Sequence, residues 1–179
     1  MKKNCLVKML AIILISLMLP NLVSAQTDQS KRPSPPATAT GKIGEATITI
    51  DYSSPSVKGR KIFGGLLPYG KTWRAGANEA TIFQTDKDIT VEGKKLPAGK
   101  YSFFATPGES EWTIFFNSQT GQGGIKQNGE ANMDPAKTVL SIAVKPKKLT
   151  DLGEKLTYSV MNNGVDLRWE YSDVFISVK

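Results

Sequence analysis

Residues 165–171 alternate without a lapse: Val165, Leu167, Trp169 and Tyr171 are apolar, and Asp166, Arg168 and Glu170 between them are charged. Successive side chains of an extended strand leave opposite faces, so this pattern buries one face and wets the other. A helix would scatter the same apolar set around its circumference. Immediately before it, Asn162-Asn163-Gly164 reads as a tight turn, because Asn and Gly tolerate positive φ. Leu156, Tyr158 and Val160 carry the alternation on the far side of that turn. The two runs predict a hairpin.

The same period recurs upstream. Ile48, Ile50 and Tyr52 alternate with Thr47, Thr49 and Asp51, and Ile89 and Val91 with Thr90 and Glu92. Residues 101–106 are apolar on both faces, as in a central strand. Trp112, Ile114 and Phe116 share a face, as do Leu140, Ile142 and Val144, and Val174, Ile176 and Val178 close the chain. No window sustains a helical period. About eight short strands separated by turn chemistry predict an all-β domain over 41–179, an antiparallel β-sandwich or a flattened barrel. Two long stretches interrupt the rhythm. Residues 53–78 carry Ile62, Phe63, Leu66, Leu67, Tyr69 and Trp73 and should pack down, whereas 118–135 has only Ile125 and Met133 and should be mobile.

The amino-terminal 25 residues read as a secretory signal peptide. Lys2, Lys3 and Lys8 flank an apolar run over 9–19, Pro20 breaks it, and Val23-Ser24-Ala25 offers the small residues a signal peptidase needs. The run is too short to span a bilayer, which takes about 20 residues. Cleavage near Ala25 places the mature protein in the periplasm or outside the cell, with no transmembrane segment. Cys5 precedes the run, so lipid attachment is not expected. Residues 26–40, rich in Pro, Ser, Thr and Ala, read as a flexible leader.

Cleavage also decides the available chemistry. The chain has one cysteine, Cys5, and no histidine. The mature protein then has no thiol and no imidazole. That excludes a Ser-His-Asp triad, a cysteine nucleophile and the usual zinc and haem ligands, so no cofactor and no metal is expected. Asn128, Glu130, Asn132 and Asp134 are spaced like oxygen ligands for calcium, but they lack the carboxylate density of an EF-hand and read as a solvated polar loop. Of the 23 basic residues three are in the signal, which leaves 20 against 16 acidic ones, a mild positive excess. Export disfavours nucleic acid as a partner, and the basic run 145–148 reads as a charged turn.

Carboxylate, amine and hydroxyl chemistry remains. The richest constellation is Trp73 and Arg74 with Asn78 and Glu79, beside Arg60, Tyr52 and Tyr69. Aromatic faces stack on sugar rings, and Arg, Asn and Glu supply fixed donors and acceptors. The mixture suits a pocket for a small polar or carbohydrate ligand, such as a glycan of the envelope. In the structural alternative Trp73 plugs one end of the sandwich and Arg74 pairs with Glu79 or with backbone carbonyls. No residue is assigned a catalytic role. A hydrolase built on carboxylates such as Glu79, Glu92, Asp51 or Asp134 is the enzymatic alternative, and a structural envelope protein without a small ligand is the third.

Several separated motifs occur in one order: Lys58-Gly59-Arg60, Ile62-Phe63-Gly64, Leu67-Pro68-Tyr69-Gly70, Trp73-Arg74, and 76–81 reading Gly-Ala-Asn-Glu-Ala-Thr. Leu96-Pro97-Ala98-Gly99-Lys100-Tyr101-Ser102, Pro107-Gly108 and Glu111-Trp112-Thr113 follow. Over essentially the whole mature domain these resemble the bacterial family DUF2911. The resemblance implies an exported β-rich domain of a Gram-negative envelope and supplies no activity.

Overall fold

The computed structural model describes residues 28–179, and the signal-peptide expectation for 1–25 lies outside the described residues. Among the described residues the chain is all-β. Its strands are β1 (Pro36–Ile43), β2 (Ala46–Ser53), β3 (Thr81–Thr85), β4 (Ile89–Val91), β5 (Lys94–Leu96), β6 (Gly99–Thr106), β7 (Trp112–Asn117), β8 (Thr138–Val144), β9 (Lys147–Met161) and β10 (Gly164–Ser177). Two single 3-10 turns, Gln29–Lys31 and Pro135–Lys137, complete the set. No helix among these residues is long and apolar enough to cross a membrane.

Six strands form one antiparallel sheet in the order β1-β2-β3-β6-β7-β8. The predicted hairpin is β9–β10, with Gly164 opposite Met161 and Leu167 opposite Tyr158. The β4–β5 pair joins it: Val91 bridges to Val178, and Thr90 and Lys179 exchange backbone hydrogen bonds of 2.7 and 2.9 Å. The alternation then explains the core. Ile48, Ile50, Phe83, Phe103 and Phe116 from the large sheet meet Leu156, Tyr158, Leu167, Trp169 and Ile176 from the facing layer. Each such side chain contributes about 1.5–3 kcal/mol on burial, before its ordering entropy is counted. β1 and β8 end the large sheet as separate edges, so the architecture is an open antiparallel sandwich and the flattened-barrel alternative falls.

The leader expectation also needs correction. Residues 36–43 are β1, paired from Pro36 opposite Ser53 to Ile43 opposite Ala46. The inward residues of this strand include Ala39 and Gly41, too small to register as a hydrophobic period, and a Cβ on Gly41 would lie 3.0 Å from the Val160 side chain. Thr38 Oγ1 donates to Asp51 at 2.7 Å and Thr40 Oγ1 to the Ile48 carbonyl at 3.1 Å, binding the polar face across to β2. Pro36 is tolerated because the strand is an edge.

The hairpin turn has a different cause from the one expected. Asn162, Asn163 and Gly164 all keep negative or extended φ. Glycine is needed at 164 for space, because the Ile176 carbonyl and the Phe175 ring occupy the place a Cβ would take. β10 therefore doubles back on itself, and the bend falls at Glu170, whose φ is 55°. The basic run 145–148, expected as a turn, instead begins β9 at Lys147.

Candidate functional site

The residues between β2 and β3 form a long first loop that is nailed to the core from several sides. Glu170, presented by the bend in β10, accepts hydrogen bonds from the Ile62 and Phe63 amides at 2.8 and 3.2 Å. Trp73 and Ala105 of β6 exchange backbone bonds of 2.7 and 2.9 Å. Tyr158 donates its hydroxyl to the Ala75 carbonyl at 2.7 Å, and burial pushes that phenol well above its ordinary pKa, with Tyr52 beside it adding to the effect.

The second loop, between β7 and β8, was expected to be mobile. It is held by Asn117, whose fully buried amide donates to the Asp134 carbonyl at 2.7 Å and accepts from Gln119 N–H at 3.0 Å. Its tip is a small hairpin, with Ile125 bridged to Ala131 and Lys126 N–H donating to the Glu130 carbonyl at 2.8 Å. The oxygen side chains spaced like calcium ligands are engaged locally. Asn128 exchanges bonds of 3.0 and 3.1 Å with Glu130, and Asp134 caps the turn at Ala136 N–H at 3.0 Å.

The two loops meet along a seam. Gly124 N–H donates to the Asn78 carbonyl at 3.2 Å, Glu79 bridges to Gly123, and the Arg74 stem lies over Gly124 where a Cβ would be. Glycine at 124 is thus a condition of the close approach. Beside the seam is a cleft of about 570 Å³, with Leu66, Lys71, Trp73 and Arg74 from the first loop facing Ile125, Glu130 and Met133 from the second.

The seven residues expected to form one site are dispersed. Trp73 and Arg74 line the cleft; Tyr52, Arg60, Tyr69, Asn78 and Glu79 do not. Trp73 is 5% exposed, stacks on Trp169 at 5.6 Å, and donates Nε1–H to the Gly76 carbonyl at 2.8 Å. Its indole is packed into the core rather than presented to solvent. Tyr52 lies edge-on to Tyr158, and its hydroxyl accepts the Tyr158 amide at 3.3 Å. Arg60 donates to the Val57 and Ser56 carbonyls of its own loop at 2.9 and 2.6 Å. The Tyr69 ring covers Gly64. Asn78, at φ 57°, donates its side-chain amide to the Ser34 carbonyl and Ser53 Oγ at 3.0 and 3.1 Å.

Glu79 does not pair with Arg74. It takes Arg32 instead, at 2.8 and 3.0 Å, and that hydrogen bond is the main reason its carboxyl is held below the ordinary range. Arg74 is left half-buried, with Nε buried and without an acceptor among the described residues. Burial pulls its guanidinium below its ordinary pKa, and the charge of Glu79 only partly opposes this. The cleft was missed because its second wall comes from a polar loop whose few apolar residues, Ile125 and Met133, give no period. The Gly123-Gly124 pair is the one signal that another segment approaches there.

A family model described as protein of unknown function (DUF2911) matches residues 34–178. No curated protein and no solved structure matches the chain.

Proposed function

The chain belongs to the DUF2911 family of proteins of unknown function, and we propose from its own residues that it is an exported, non-enzymatic binding domain for a small polar ligand. The observation that carries this reading is the cleft of about 570 Å³ between two loops that are each tied to the sandwich. Its size is that of an ordinary small-molecule site. Rigid walls lower the ordering cost of binding. The ionisable groups of the lining are Lys71, Arg74 and Glu130, a set with one carboxylate and hence unlike the paired acids of a glycosidase. A sugar platform is disfavoured, because Trp73 spends its face on Trp169 rather than on solvent.

Native mass spectrometry of the protein recovered from the exported fraction tests export and binding together. The expected result is a chain beginning at Gln26 that carries a bound small molecule, and an Ala131→Trp variant, which fills the cleft from its rim, that carries none. A retained Met1 overturns the export reading. Identical spectra for parent and variant overturn the binding reading.

A further inference from the structure

The chemistry of the cleft narrows what it can hold. Arg74 spans the seam between the loops, its Nε–H is buried without an acceptor among the described residues, and Glu79, five residues on, is committed to Arg32. A buried N–H without an acceptor is costly, and an oxyanion seated on this half-buried guanidinium within reach of Nε offsets that cost. Its planar fork matches a carboxylate or a phosphate through two parallel hydrogen bonds.

Two further features choose between those anions and define the rest of the ligand. Lys71 on the first loop adds a cation, but Glu130 on the second adds an anion to the same lining. A dianionic head would gain from the first and be repelled by the second, so the balance favours a single negative charge. Apart from Thr72 and Asn128 the remaining side chains of the lining are apolar, and Leu66 and Ile125 stand 51% and 48% exposed. Exposed apolar surface of this kind gains free energy when a ligand covers it.

Resting on the reading of the cleft as a ligand site, we infer that its ligand is an amphiphilic monocarboxylate, the head on Arg74 and the apolar body along Leu66, Ile125 and Met133. The probes are octanoate, octanol and octyl phosphate, titrated near neutral pH by calorimetry, with methyl NMR shifts to locate them. Octanoate should bind at least about tenfold more tightly than octanol, the factor expected of one charge-assisted hydrogen bond. Octyl phosphate should bind no more tightly than octanoate. Arg74→Met keeps the stem over Gly124 and removes the charge; it should fold with an unchanged or higher melting temperature, keep its octanol affinity and lose the tenfold preference.

Equal affinity for octanoate and octanol, both blocked by Ala131→Trp, overturns the carboxylate and leaves the cleft as a binding site. Stronger binding of octyl phosphate overturns the single charge. A preference that survives in Arg74→Met overturns the assignment of the head to Arg74. No binding of any probe overturns the amphiphile, while the cleft itself then stands or falls on whether Ala131→Trp removes the molecule seen in native spectra.

Discussion

A chain without histidine titrates little between about pH 5 and 8 apart from its amino terminus, and this makes one pair of carboxyls measurable. Asp166 and Asp173 meet where β10 doubles back at Glu170. As two ionised carboxylates they are acceptors only, which leaves Asp173 Oδ1 buried without a partner among the described residues. A proton on Asp166 supplies the missing donor. Burial first, then the hydrogen bond and charge of Asp173, push the Asp166 carboxyl from its ordinary 3.8 to about 7, against the pull of Arg168.

The folded state therefore holds a proton that the unfolded chain releases near pH 4, and stability falls as pH rises from about 4 to about 7. At about 1.4 kcal/mol per pH unit the ceiling is about 4 kcal/mol. Asp166 is only half-buried, and solvent screening brings the expected loss to about 1–2 kcal/mol. The lowered carboxyls Asp28, Glu79, Asp86 and Asp88 act with the opposite sign and only below about pH 5, so they do not mask the fall between about pH 5 and 7. Urea unfolding, followed by fluorescence of the buried Trp73, Trp112 and Trp169, measures it. Asp166→Asn donates to Asp173 at every pH; it should flatten the profile and gain about 1–2 kcal/mol near pH 8. A flat parent profile, or an Asn variant that keeps the slope, refutes the reasoning.

Trp73→Ala should cost about 3–5 kcal/mol, since it opens a cavity against Trp169 and Phe63 and removes an indole donor; a thermal melt nearly identical to the parent's would mean the indole is not packed there. Arg32→Ala and Glu79→Gln should each change stability by no more than about 1 kcal/mol, because the pair is exposed on the Glu79 side. A loss of 3 kcal/mol or more in the same melts, the size expected for breaking a buried pair, would show that Glu79 is desolvated after all.

Strands whose inward positions are large and apolar were legible from their period alone, as β2, β7, β8 and the β9–β10 hairpin show. Those that stayed hidden had other reasons to be strands. β1 packs small residues, Ala39 and Gly41, against the facing layer, where close approach replaces hydrophobic bulk. β5 is only Lys94–Leu96, and its pairing with β4 follows from the turn at Glu92 and Gly93, both at positive φ. Hydrophobic period reports what a strand buries. It is silent on strands that exist because a neighbour supplies the hydrogen bonds.

The candidate site was half legible for a related reason. Trp73 and Arg74 stood out by residue type, and residue type cannot say which of two adjacent side chains faces the core. Strand geometry does: Trp73 pairs with Ala105, so the indole turns in to Trp169 and the next side chain, Arg74, turns out toward the second loop. The structural alternative offered Glu79 to that arginine because sequence proximity favours Arg74, five residues away, over Arg32, which lies 47 residues from Glu79 in the chain. The edge strand β1 is what brings Arg32 there, pairing with β2 and carrying the segment before it past Asn78 and Glu79. Taking residues 26–40 for a flexible leader therefore hid more than part of a strand: it left out Arg32, the cation that occupies Glu79, and with it the reason Arg74 Nε has no acceptor among the described residues.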